Sequence, residues 1–95
     1  MAGKTKLQTS LKNNAPPGRE YVFRMPDGRE VGRARNINDF IRMLKIAPLS
    51  AILYHANAGH FSPWFELLGE ADLAKKIREI KGNSEQVRRD LLNLF

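Results

Sequence analysis

The chain contains no cysteine, which removes disulfides, thiol chemistry and cysteine-ligated metal sites together. No apolar run approaches the roughly 18 consecutive residues a membrane span needs, so no membrane association is expected. The first residues lack the apolar core of a signal peptide, and a cytoplasmic location is the expectation. Also missing are a phosphate-cradling G-x-x-x-x-G-K-[ST] loop, a G-x-G-x-x-G fingerprint and a G-x-S-x-G nucleophile elbow. The ten acidic residues are scattered, with no acid–base pair that can be placed in one cleft. Catalysis has nothing to stand on, and no cofactor is expected.

What is present suits a single domain. Ninety-five residues, 42% of them apolar, suffice for one core without staples. The net charge is +6, and its distribution matters more than its sum. Residues 1–35 carry eight Lys/Arg against three Asp/Glu, residues 36–62 two against one, and residues 63–95 six of each. The excess sits in the first third. Such a segment attracts anionic partners through phosphate contacts and counterion release, and equally serves as a solubilising tail.

Residues 1–18 read as a flexible basic tail, with too little apolar surface to offset the entropy of ordering. Pro16-Pro17-Gly18 ends it, and residues 19–95 read as one globular domain. Tyr21 to Arg35 reads as a hairpin turning at Met25-Pro26-Asp27-Gly28, with proline presetting φ and glycine supplying a positive one. If Met25 and Arg29 flank the loop, Arg24 faces Glu30, Phe23 faces Val31, Val22 faces Gly32 and Tyr21 faces Arg33. That register puts Tyr21, Phe23, Met25 and Val31 on the core side and pairs Arg24 with Glu30 on the other.

Asn36 caps a first helix, assisted by Asp39, with Ile37, Phe40, Ile41 and Leu44 inward and Pro48 as its stop. Residues 49–58 fit a helix with Leu49, Ile52, Leu53 and Ala56 inward and Gly59 at its end, although SAILYH alone also fits a short buried strand. The helix is favoured. Ser62-Pro63 reads as a capping hydroxyl followed by proline at the first helical position, opening a short helix that Gly69 closes. Another helix spans about Glu70 to Lys81, Gly82 breaks it, and a last one starts near Asn83–Gln86. The fold class is therefore α+β: one antiparallel hairpin packed against four or five short helices.

Functional candidates concentrate in Tyr54–Gly69, which holds both histidines and the only tryptophan. His55 and His60 lie five apart, about 140° around a continuous helix, unlike the i, i+4 pair that binds zinc from one face. No metal site is expected. Ser62 is better explained as a cap than as a nucleophile. Trp64 with Phe61, Phe65 and Tyr54 is read as core more readily than as a binding surface. If a specific partner surface exists, its candidates are Tyr54, His55, His60 and Trp64, and the expected partner is another protein. For nucleic acid the candidates are Lys4, Lys6, Lys12, Arg19, Arg24, Arg29, Arg33 and Arg35, on a tail and hairpin able to lie along phosphates. The last two helices, joined by KGNS, also allow a helix-turn-helix reading with Arg88 and Arg89 outward, a weak signal because many helical hairpins look alike.

The order of a DG hairpin, ARNIxDF, YH, FSPWF and LGEADLAKKI resembles a small family of prokaryotic domains, best known in archaea, whose function is not established. The matching positions are Asp27-Gly28, Ala34, Ile37, Phe40, Tyr54-His55, Phe61, Trp64, Gly69 and Leu73-Ala74. They span residues 21–80. His60 departs from the pattern, which has an acidic residue there. The resemblance implies an α+β fold and a prokaryotic source, and supplies no activity. The reading taken from the sequence is a non-enzymatic interaction or regulatory module, with a nucleic-acid-binding protein as the alternative.

Overall fold

In the computed structural model of the protein, which describes residues 14–95, the hairpin forms where its turn chemistry places it. Strand β1 (Tyr21–Arg24) pairs antiparallel with β2 (Glu30–Ala34). Met25 N–H donates to the Arg29 carbonyl at 2.8 Å, and Gly28 N–H returns to the Met25 carbonyl. Gly28 takes φ 93°, a conformation that favours a residue without Cβ.

The register departs from the expected one after its first pair. Arg24 faces Glu30, but a bulge follows, and Phe23 then faces Gly32, Val22 faces Arg33 and Tyr21 faces Ala34. One extra residue on β2 reverses which face each later side chain takes. Gly32 and Ala34 therefore face the two aromatics of β1, and Val31, the extra residue, is half-buried against the core. The exchange makes room for packing. A Cβ on Gly32 would lie 2.5 Å from the Met43 methyl group, so the small residue leaves space for that side chain of the helix above it. The bulge also redirects charge. Glu30 and Arg33, on opposite faces of a regular strand, meet in a two-pronged ion pair at 2.7 and 3.1 Å. That pair replaces the expected Arg24–Glu30 contact, and Arg24 instead donates to the Gly28 carbonyl.

Five helices follow among the described residues: α1 (Ile37–Ile46), α2 (Leu49–Ala58), α3 (Phe61–Leu67), α4 (Ala71–Arg78) and α5 (Gln86–Leu92). The fold is α+β. Helix α1 packs on β2 and α5, α2 on β1 and α5, and α3 on α4. No helix is long and apolar enough to cross a membrane among the described residues. The Asn36 side chain accepts from Asp39 N–H at 2.8 Å, and Asp39 reaches back to Arg35 N–H at 3.1 Å. Burial works to raise the Asp39 carboxyl, but the Arg35 backbone and guanidinium donors and the nearby Arg42 outweigh it and hold it below its ordinary value.

Two boundaries and one side-chain orientation differ from the sequence reading. Residues 1–13 of the expected tail lie outside the described residues, but Asn14 to Gly18 are already fixed to the domain. Ala15 N–H donates to the Arg35 carbonyl at 2.7 Å, and Asn14 accepts from Asn36. Helix α3 begins at Phe61 without a side-chain cap, and the buried Ser62 hydroxyl accepts from Arg78 at 2.9 Å instead. Arg88, expected outward, is only 16% exposed and donates to the Leu44 and Ala47 carbonyls, each at 2.8 Å. It satisfies the C-terminal carbonyls of α1, where a cation is favoured, so only Arg89 of the supposed recognition pair faces solvent.

The core is aromatic. The Phe40 ring lies 4.8 to 6.3 Å from those of Tyr21, Phe23, Phe61, Trp64, Phe65 and Phe95.

Candidate functional site

Helix α2 carries the site because its buried face is not the one its leucines mark. Ala51, Ile52, His55 and Ala56 are buried, while Leu49 and Leu53 are half-buried. The two alanines let the helix approach closely, and the imidazole between them is tolerated because both its nitrogens find partners.

His55, 4% exposed, accepts the backbone N–H of Arg24 on Nε2 at 2.8 Å. This N–H belongs to the strand edge that β2 leaves unpaired, so the imidazole closes an edge that would otherwise invite another strand. The bond also assigns the tautomer. With Nε2 as acceptor, the single proton of the neutral ring sits on Nδ1. Nδ1 lies 2.7 Å from the Tyr21 hydroxyl oxygen and 3.1 Å from Nδ1 of His60. The tyrosine oxygen thus accepts from His55, and His60 turns a lone pair toward the same hydrogen. Burial, then the neighbouring His60 and Arg24 charges, lowers the His55 pKa to about 4. Burial, with Tyr54 nearby, holds the Tyr21 phenol well above its ordinary value, so it stays neutral.

The meeting of the two histidines corrects the 140° separation expected for a continuous helix. The helix stops at Ala58, and Gly59 takes φ 74°. Gly59 N–H then donates to the Ala56 carbonyl and His60 N–H to the His55 carbonyl, the 5→2 and 6→1 bonds of a Schellman turn. The chain reverses, and the two imidazoles come to 5.3 Å between ring centres. Tyr54, half-buried, lies 5.2 Å from His60.

Three of the four partner candidates, Tyr54, His55 and His60, therefore gather at the α2–α3 corner. Trp64 does not. It is 6% exposed, its ring lies beyond Tyr21 at 5.8 Å, and its indole N–H donates to the Arg19 carbonyl at 2.8 Å. Tyr21 was placed by its sequence only as a core-facing strand residue. Its role in the cluster was signalled by chemistry, since a buried phenol needs a hydrogen-bond partner.

The nucleic-acid candidates divide. Lys4, Lys6 and Lys12 lie outside the described residues. Arg33 pairs with Glu30, and Arg35 with Asp39. Arg19 and Arg29 are exposed and have no ion-pair partner among the described residues, and Arg24 has only the loop carbonyl. A depression on α4 lined by Asp72, Lys75, Lys76 and Glu79 is a solvated stripe of mixed charge.

As chemistry, the cluster is a polar joint. His55 has no free lone pair, so it can act as a base or bind a metal only by giving up the Arg24 amide. No three His, Cys, Asp or Glu side chains gather as a metal would require among the described residues. The chain matches no known protein-family model, curated protein or solved structure with which it was compared.

Proposed function

We propose that the domain is a non-enzymatic interaction module that contacts a protein partner through the α2–α3 corner, with Tyr54 and His60 as the contact side chains. The supporting observation is that these two rings are held against each other, at 5.2 Å and near right angles, on a helix end fixed by the turn at Gly59. Rings ordered before binding lose little conformational freedom on contact, which is what anchors an interface. The 95-residue chain and its Tyr54→Ser/His60→Ser variant, both verified as folded, are used in parallel for quantitative capture from native lysate. At least one partner is expected to fall by about tenfold, equivalent to ~1.4 kcal/mol. Identical partner sets would overturn the reading.

A second reading is supported by the hairpin, where Arg24, Arg29 and Arg33 are all exposed, with Arg19 and Arg35 at its base. This surface suits a nucleic-acid backbone. Phosphate binding strengthens at low salt, so a gel shift is expected at about 50 mM salt and is lost as salt is raised. No shift on any DNA or RNA at that salt removes this reading.

A further inference from the structure

We infer that the histidine pair is a proton-operated latch: the first proton it takes up releases the His60 ring from His55, while the Arg24–His55 contact stays closed. The hydrogen bonds dictate this. The Arg24 N–H occupies the Nε2 lone pair of His55 at 2.8 Å, so the His55 proton is on Nδ1, shared between the Tyr21 oxygen at 2.7 Å and Nδ1 of His60. At 3.1 Å that arrangement holds only while Nδ1 of His60 carries a lone pair. An imidazolium carries hydrogens on both nitrogens. A protonated His60 in its present place would set N–H against N–H, turning an attraction into a repulsion.

The proton has two destinations, and they differ in cost. On His55 it displaces a backbone amide and leaves a charge on a buried ring. On His60 it requires only that an exposed ring, next to the start of α3, change rotamer. The groups around the pair favour the same choice. They are Tyr21 and Arg24 from β1, Tyr54 from α2 and Phe61 from α3, and the Arg24 guanidinium, the one charge among them, disfavours a proton on His55. None is acidic, so no carboxylate among them holds a cation in place. With the ring released, the corner exchanges a neutral, tyrosine-packed surface for a mobile cation. The latch involves the same corner as the proposed interaction surface, but it stands on the hydrogen bonds alone and needs no partner.

Histidine-ring NMR on the isolated 95-residue chain tests it between about pH 8 and pH 5, the interval in which imidazoles change charge. At the upper end His55 is expected as the Nδ1–H tautomer and His60 as the Nε2–H tautomer, with a cross-ring NOE. On acidification the first proton is expected on His60, with loss of that NOE and no movement of the Arg24 amide resonance. An Nε2–H tautomer for His55, a NOE that survives protonation of His60, or first protonation at His55 would each overturn the latch. His60→Phe supplies a second check, because it keeps a ring and removes the nitrogen. It should abolish the shift of His55 Nδ1 over this interval and leave the Arg24 amide in place; an unchanged His55 response would also overturn it.

Discussion

Phe40→Ala is expected to cost about 4 kcal/mol of folding stability, in the upper range for removing a buried aromatic ring. Six other aromatic rings surround Phe40, drawn from β1, α3 and the C-terminus. Elements so separate in sequence cannot close together on the space it leaves, so the cavity term is added to the lost transfer energy. Small domains have only about 5–15 kcal/mol in total, so this single change is expected to remove a large share of the stability. Urea denaturation measures it, with Ile46→Ala as the control. Ile46 is 67% exposed, and its truncation should stay within about 0.5 kcal/mol. A Phe40→Ala loss below about 2 kcal/mol would contradict a core centred on this ring.

His55→Ala is expected to cost about 3 kcal/mol, and for a different reason. It orphans the Arg24 amide, a penalty of about 1–3 kcal/mol, and it strips the Tyr21 hydroxyl of its donor inside an apolar surround. His55→Gln, whose side-chain oxygen can accept from the amide, should recover part of the loss, whereas equal losses in the two variants would argue that packing alone matters. The same ring sets an acid sensitivity. Its pKa is near 6.5 when unfolded and about 4 when folded, so the unfolded chain takes up the proton first as pH falls. The stabilisation is complete above about pH 6.5 and is lost progressively toward about pH 4, by roughly 3 kcal/mol at most. Denaturation midpoints should therefore drop across that window in the native chain, and less steeply in His55→Gln. A midpoint that rises on acidification in this range would refute the neutral, buried assignment.

Much of the fold was legible because local chemistry decides it. Pro26 and Gly28 fix the turn, Asn36 with Asp39 starts α1, Pro48 marks where α1 stops, and Gly59 and Gly69 end their helices through bonds to neighbouring residues. What the sequence concealed depends on contacts far apart in the chain. The bulge after Glu30 sets Gly32 beneath the Met43 side chain, a contact no strand pattern contains. Arg88 looks like a surface cation until the carbonyls at the end of α1 are seen to need it. Asn14 to Gly18 look like tail by composition, yet backbone hydrogen bonds, which composition does not register, hold them. At the corner the ingredients were all visible, but periodicity misled. A spacing of five separates two side chains on a helix and unites them across a helix end.

The reversal at Gly59 gives the corner a linear spelling, H-x-x-x-G-H. The two rings meet because of how many residues the reversal spans and where the glycine falls, and the intervening side chains do not enter into it. Inserting or deleting one residue between His55 and His60 would part the imidazoles even if every contact elsewhere survived, while most replacements at the exposed Ala58 would leave them together. The six residues therefore behave as one transplantable unit. Grafted onto the end of another helix that packs beside a strand bearing a buried tyrosine, they should bring the same pair of rings to the same separation.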